Sequence, residues 1–207
     1  MKTLVKNIRA IDPALGLDEV CDILIEGEQI VEVGQDLSAD GAEVLDRTGC
    51  IVVPGLVDVH VHLRDPGQEY KETIETGTAA AAHGGFTGIC SMPNTTPTTD
   101  NAATIDYVLD RAQSAGHCRV YPSGACTMGL KGESLAEIGD MAAHGAVAFT
   151  DDGRGVQSAG MMRRVMDYAT MFGCVVMSHC QDEELVGPGQ VNEGVVSTRL
   201  GMAGWPG

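Results

Sequence analysis

The sequence predicts an α/β protein built on a parallel sheet, and two observations support this prediction. From residue 56 onward, five short apolar segments alternate with four Ala-rich segments of helical periodicity. Each helical segment is followed by glycine, the residue that most readily ends a helix. Repeated strand and helix units form either an open doubly wound sheet or the first five strands of an eight-stranded (β/α)8 barrel.

The predicted elements follow one another at short intervals. We expect strands at residues 56–62, 87–92, 119–125, 146–149 and 174–178. We expect helices at residues 70–83, 101–115, 134–144 and 158–172. The sequence after residue 178 is polar and Gly-rich, and it predicts no sixth strand. Since a complete barrel needs about 250 residues, the barrel interpretation predicts a fragment that ends near the midpoint of the barrel.

The first 54 residues have a different sequence pattern, in which short strand-like segments are separated by polar turns. Strands are expected at residues 3–11, 23–26, 29–33 and 43–53, with a tight hairpin at Gly27-Glu28. Pro54-Gly55 then interrupts the chain. We therefore predict two domains: a small β domain at 1–54 and an incomplete barrel at 55–207.

Composition excludes several classes of protein. The 207 residues are 43% hydrophobic and 20% charged, and 13 Lys and Arg against 29 Asp and Glu give a net charge of −16. Such a charge repels nucleic acid and anionic membranes, and no apolar stretch reaches the roughly 20 residues needed to cross a bilayer. The seven cysteines are an odd number without framework spacing, which predicts reduced thiols and a cytoplasmic protein.

The most specific local pattern is Val57-Asp58-Val59-His60-Val61-His62. Alternate residues of a strand share a face, so Asp58, His60 and His62 project together while the valines face the opposite layer. Two imidazoles on one face can chelate a divalent metal. An isolated His-x-His pair is more often a chance alternation, but this pair ends the first strand of an α/β unit, where such enzymes place their sites.

Other polar residues follow later strands. Asn94 follows the second, Asp151 and Asp152 follow the fourth, and His179 follows the fifth. Each alone is better explained as a turn residue or a core histidine. Because the ends of parallel strands meet at one edge of the sheet, the whole set predicts a site there.

At these residues the sequence resembles known families. The segment from Pro54 to Arg64 resembles the opening of the amidohydrolase superfamily. The continuation Asp65-Pro66-Gly67-Gln68-Glu69-Tyr70-Lys71-Glu72-Thr73, with Gly84-Gly85-Phe86-Thr87 and Met92-Pro93-Asn94-Thr95, is similar to the bacterial class I dihydroorotases. The similarity extends to Asn192-Glu193-Gly194 and so covers nearly the whole chain.

The resemblance implies a small β-sandwich beside a (β/α)8 barrel of the amidohydrolase type, with one or two Zn²⁺ ions per subunit. It implies that His60 and His62 bind the more buried ion, and that Asp152 bridges to a second ion held by His179. Asp151 is the alternative bridging residue. It also implies that two further residues, Arg64 and Asn94, bind the substrate carboxylate.

The activity implied by the resemblance is the reversible cyclisation of N-carbamoyl-L-aspartate to L-dihydroorotate in de novo pyrimidine (UMP) biosynthesis, through attack of metal-activated hydroxide on a cyclic amide. The general acid/base aspartate is expected beyond Gly207, so no catalytic residue is assigned within the chain, and the 207 residues alone are expected to be inactive. Family members also suggest a homodimer or a complex with aspartate transcarbamoylase.

Two alternatives remain. Hydantoinases, dihydropyrimidinases and allantoinases bridge their metals with a carboxylated lysine after the fourth strand, but that segment here is Phe149-Thr150-Asp151-Asp152-Gly153, without lysine. A non-catalytic partner of aspartate transcarbamoylase would be expected to have lost metal ligands, whereas all four candidate ligands are present. Dihydroorotase is therefore the favoured interpretation.

Overall fold

The computed structural model describes all 207 residues, which divide into two compact units, Met1–Gly55 and Leu56–Gly207. The first unit is a single mixed sheet. Its strands are β1 (Lys2–Asp12), β2 (Leu17–Glu26), β3 (Gln29–Gly34), β4 (Glu43–Asp46) and β5 (Ile51–Val52). The sheet order is β3-β2-β1-β4, with β5 also paired to β1. Because residues 1–55 form one sheet layer, the predicted sandwich stays a prediction.

A β-bulge in β1 decides which residues of this sheet are buried together. The pairing of β1 with β2 shifts between Val5 and Ile8, where Asn7 has a φ of 59°. The extra residue places Val5 and Ile8 on the same face, and the core cluster there contains Ile8, Ala10, Cys21 and Ile23. Strand β2 starts at Leu17, earlier than the predicted residue 23, since its polar first half also pairs with β1.

The second unit contains five parallel strands in the order of the sequence. They are β6 (Leu56–Val61), β7 (Phe86–Ser91), β8 (Arg119–Gly124), β9 (Ala148–Phe149) and β10 (Val175–Val176), and the sheet order is β10-β9-β8-β7-β6. A doubly wound sheet reverses its strand order, and this sheet does not. The sheet is therefore a curled half-barrel, which confirms the α/β class and the barrel-like winding.

Helices connect these strands. They are α1 (Ile74–His83), α2 (Ala102–Ala115), α3 (Ile138–Ala143) and α4 (Ala159–Thr170). After β10 come α5 (Glu183–Val186), β11 (Val191–Asn192), α6 (Val195–Leu200) and β12 (Gly204–Trp205). Strands β11 and β12 pair only with each other, so no sixth strand joins the main sheet. None of the helices is long and apolar enough to cross a membrane.

Two predicted helices are shorter than expected because their first residues make other contacts. Helix α1 begins at Ile74, not at residue 70, since Thr73 caps it and exchanges hydrogen bonds with Thr76. Helix α3 begins at Ile138, not at residue 134, since Leu135 forms a β-bridge with Thr127. Strands β9 and β10 are also shorter than predicted, at two residues each.

One further expectation was wrong in detail. Val57 and Val59 do not face a covered layer, since they are 60% and 63% exposed, and of the three valines only Val61 packs against a core cluster. Gly116 ends α2, as expected for glycine, with a φ of −76°. Glycine is needed there because a Cβ atom would lie 2.4 Å from the Ala112 carbonyl oxygen.

Two buried clusters support the sheet. The larger one joins the helices to β9 and contains Ile105, Met141, Phe149 and Val165, all fully buried. The other lies around Ile74 and Ile89 near β6 and β7. This packing fixes the carboxyl ends of the strands, where the predicted site residues lie.

Candidate metal centre

Four strands bring the predicted polar residues to one edge of the sheet. His60 lies near the end of β6 and His62 directly follows it. Asn94 follows β7, Asp152 follows β9 and His179 follows β10. Residues that are up to 119 positions apart in sequence therefore meet because parallel strands end at the same edge.

The Asp152 carboxylate lies at the centre of this group and is only 6% exposed. Its Oδ1 atom is 3.4 Å from His60 Nε2 and 3.5 Å from His179 Nδ1, and its Oδ2 atom is 3.5 Å from His62 Nε2. These separations are longer than an ordinary N–H···O hydrogen bond of about 2.7–3.2 Å. The three imidazoles thus surround the carboxylate without donating a hydrogen bond to it.

The spacing fits a divalent cation. Ligand atoms about 2.0–2.1 Å from a tetrahedral zinc ion are separated from one another by about 3.3–3.4 Å, close to the distances found here. Ligand atoms of His60, His62 and Asp152 all lie within 4.8 Å of one another. His179 is outside that three-residue group but approaches the same carboxylate oxygen as His60. The predicted role of Asp152 as a bridge to a second ion stays a prediction.

Asn94 contacts two members of this group. Its Oδ1 atom is 3.0 Å from His62 Nδ1, and its Nδ2 donates to Asp152 Oδ2 at 3.2 Å. When His62 Nδ1 carries the proton, it donates to Asn94 and leaves the Nε2 lone pair free for a metal. The predicted binding of substrate by Asn94 stays a prediction; in the structure its amide contacts two of the candidate ligands.

Asp151 has a different environment from its neighbour. It is buried, its Oδ1 accepts hydrogen bonds from the backbone N–H groups of Cys126 and Thr127 at 2.8 and 3.0 Å, and its Oδ2 accepts one from the Thr127 hydroxyl. Burial raises the pKa of Asp151, and these hydrogen bonds oppose the rise. The structure therefore brings Asp152, and not Asp151, to the histidines.

Two other residues of the predicted edge stay outside the cluster. Asp58 accepts a hydrogen bond from the His60 backbone N–H at 3.0 Å and is not part of the three-ligand group. Arg64 has a φ of 61°, and its carbonyl oxygen accepts from the Gln68 N–H at 2.9 Å. Its guanidinium group forms no ion pair in the structure, and its role in binding the substrate carboxylate stays a prediction.

Sequence reasoning missed the residues that hold this edge together. The sequence did not indicate that Thr127 would bind Asp151, because a single threonine in a loop is common. Gly67 lay within the Asp65-Pro66-Gly67-Gln68 run, but its reason is visible only in three dimensions. Its φ is 89°, and a Cβ atom there would lie 1.8 Å from the Thr96 carbonyl oxygen. The loop after β6 therefore packs directly against the loop after β7.

Comparisons with known proteins identify the family of this chain. A family model described as "Dihydro-orotase-like" matches residues 49–207. A dihydroorotase from Syntrophotalea carbinolica is 56% identical over 206 residues, which is 100% of this chain and 48% of that protein. A dihydroorotase from Geobacter sulfurreducens is 53% identical over 207 residues, again 100% of this chain and 49% of the relative.

A solved structure extends the likeness to the fold. The L-hydantoinase (dihydropyrimidinase) from Arthrobacter aurescens has a TM-score of 0.78 and 26% identity, and the match covers 89% of this chain and 42% of that one. The chain spans about half the length of the curated relatives it matches. Since the family model covers most of the residues, including the whole histidine and aspartate cluster, the chain belongs to the dihydroorotase-like family.

Proposed function

We propose that this chain is part of a metal-dependent dihydroorotase, which interconverts N-carbamoyl-L-aspartate and L-dihydroorotate. The observation that carries the proposal is the Asp152 carboxylate, which lies 3.4–3.5 Å from three imidazole nitrogens at the active edge of the sheet. Identity of 56% and 53% to two proteins named dihydroorotase supports it. With the remaining length of the relatives, the half-barrel would become a (β/α)8 barrel beside a β-sandwich.

The proposed metal ligands follow from the geometry. His60, His62 and Asp152 would hold one zinc ion, and Asp152 with His179 would hold a second. A divalent cation held by these residues would supply a Lewis acid, which polarises an amide carbonyl and lowers the pKa of bound water. Asn94 keeps the His62 ring and the Asp152 carboxylate in the orientation that such binding needs.

Substrate binding requires local positive charge, because the chain has a net charge of −16 and the substrate is an anion. Arg64 lies two residues after His62, and its planar guanidinium suits a carboxylate, with which it can form two parallel hydrogen bonds. We propose that Arg64 binds the substrate carboxylate, with Asn94 beside it. The general acid/base is not assigned to any residue of this chain.

The hydantoinase-type hydrolases are the second candidate, and the fold likeness to the Arthrobacter aurescens enzyme favours them. The residues after β9 argue against this candidate. Thr150, Asp151 and Asp152 occupy that segment, and Asp151 is fully engaged with the backbone of residues 126 and 127. No lysine is available there to become a bridging carbamate. A non-catalytic role is disfavoured by the presence of all four candidate ligands within this chain.

Substrate competition separates these candidates. The full-length protein that carries this chain is expected to contain zinc by elemental analysis and to hydrolyse dihydroorotate, with little turnover of hydantoin or allantoin. Asp152→Asn should remove both metal and turnover, whereas His144→Ala, which changes an exposed histidine on the helical side, should retain them. Faster turnover of hydantoin than of dihydroorotate would contradict the proposal.

Three further expectations remain predictions: a homodimer, a complex with aspartate transcarbamoylase and a cytoplasmic location.

A further inference from the structure

A second polar cluster lies behind the loop that carries Arg64, and it is formed by Asp65, Tyr107 and Arg111. The Asp65 side chain is only 1% exposed. Its Oδ1 accepts a hydrogen bond from the Tyr107 hydroxyl at 2.8 Å, and its Oδ2 lies 3.8 Å from Arg111 Nε. This Asp65 cluster is separate from the histidine group and contains none of the candidate metal ligands.

Helix α2 supplies both partners of Asp65. Tyr107 and Arg111 are four residues apart, so they lie on the same face of the helix, one turn from each other. The hydrogen bond to Asp65 raises the pKa of Tyr107, which keeps the hydroxyl a donor. Arg111 Nε is buried and has no hydrogen-bond partner, so its charge acts on the carboxylate across 3.8 Å.

The backbone next to Asp65 needs such support. Arg64 has a φ of 61°, a conformation that costs a non-glycine residue about 1–2 kcal/mol and persists only where neighbours impose it. The Gln68 N–H donates to the Arg64 carbonyl at 2.9 Å, and the Thr96 N–H donates to the Pro66 carbonyl at 3.0 Å. Within this loop, Asp65 is the residue whose buried charged side chain reaches helix α2.

We infer that Tyr107 and Arg111 are positioning residues for substrate binding, which act through Asp65 to hold Arg64 in its strained conformation. This inference rests on the proposed function, because it assigns to helix α2 a role in binding the substrate carboxylate. Neither residue touches the metal cluster. Their loss should therefore weaken binding of N-carbamoyl-L-aspartate without removing metal.

The conservative variant Tyr107→Phe tests this in the full-length protein, since it removes one hydroxyl and leaves the ring. We expect the KM for N-carbamoyl-L-aspartate to rise about tenfold, as for loss of a hydrogen bond to a charged group, with kcat changed less than about twofold and metal content unchanged. Hydrogen exchange at the Gln68 and Thr96 amides should become faster. Tyr168→Phe is the matched control: Tyr168 and Tyr107 are 38% and 39% exposed, but Tyr168 lies on α4 and does not contact Asp65.

A double-mutant cycle adds a second test. In an Asp65→Asn background the partner of Tyr107 is already altered, so Tyr107→Phe should raise KM much less than it does in the wild type. An unchanged KM in Tyr107→Phe, or a parallel loss of kcat and metal in that variant, would overturn the inference. Failure of the wild type to convert dihydroorotate refutes the proposed function instead. In that case hydrogen exchange at the Gln68 and Thr96 amides tests whether the Tyr107–Asp65 hydrogen bond holds the loop. Faster exchange in Tyr107→Phe supports this role, and unchanged exchange overturns it.

Discussion

Two neighbouring carboxylates, those of Asp151 and Asp152, occupy opposite kinds of environment. Asp151 is surrounded by fixed donors, two backbone N–H groups and a hydroxyl. Asp152 faces imidazole nitrogens at distances too long for hydrogen bonds and receives one hydrogen bond from an amide. The comparison shows how one strand end can supply both a structural group and a candidate metal ligand, because adjacent side chains point in different directions.

The largest expected effect tests the ligand side of this comparison. Replacing His60 or His62 with alanine removes one nitrogen from a site of few ligands, so bound metal should be lost. Mutation of a residue that only hydrogen-bonds to a metal ligand typically lowers activity by roughly 10- to 100-fold. Loss of His60 or His62 should lower turnover by more than that, because each is itself a proposed ligand. Elemental analysis and dihydroorotate hydrolysis measure both. Stoichiometric metal with normal turnover in either variant would remove the case for chelation.

The structural side predicts a loss of stability. Asp151→Ala leaves the buried N–H groups of Cys126 and Thr127 and a hydroxyl without an acceptor, so the free energy of unfolding should fall by about 3 kcal/mol. Asp152→Ala removes one hydrogen bond and should cost about 1 kcal/mol or less in the metal-free protein. Urea denaturation of both variants checks this difference. Equal losses would mean that the two carboxylates do not have separate roles.

Arg64 sharpens the comparison from the substrate side. In Arg64→Lys the charge is kept but the two-pronged geometry is lost, so the KM for N-carbamoyl-L-aspartate should rise about tenfold with normal metal content. Steady-state kinetics with elemental analysis provides the test. Unchanged kinetics would show that Arg64 does not bind the substrate. Loss of metal would show instead that Arg64, like Asp152, is needed for metal binding.

The smallest effect concerns an ordinary imidazole–carboxylate pair on the surface. His144 Nδ1 lies 2.9 Å from Asp106 Oδ1, which is hydrogen-bond distance, in contrast to the wider spacing around Asp152. The hydrogen bond with Asp106 raises the pKa of His144. A raised pKa in the folded state means that the pair stabilises the protein below the unfolded value near 6.5, and that this stabilisation is lost as pH rises through the higher folded value.

The melting temperature should accordingly show a slightly larger acid-to-alkaline decrease in the wild type than in His144→Gln. Thermal melts at pH 5.5 and 8.5 measure this difference. An identical pH dependence in both proteins would show that the pair contributes nothing to stability.

Much of the site was predictable because its signals are local. The alternation that places His60 and His62 on one face depends only on the geometry of an extended strand. Asn94, His179 and one residue of the Asp151-Asp152 pair were predicted to meet them because parallel strands end together. Helix starts were less predictable, since the residues before α1 and α3 form a capping box and a β-bridge in place of a first helical turn.

By itself, the sequence determined the alternation of strands and helices, the order of the candidate ligands and the absence of a bridging lysine. Only the tertiary structure decided that Asp152 joins the histidines while Asp151 binds the backbone of residues 126 and 127. It also decided that Asp65 is buried against helix α2. The physical reason is that the local sequence around an aspartate is the same whether its carboxylate binds backbone N–H groups or faces metal-binding histidines. Its role depends on the donors that distant parts of the chain bring to it, and their positions are fixed only when the sheet and helices pack together.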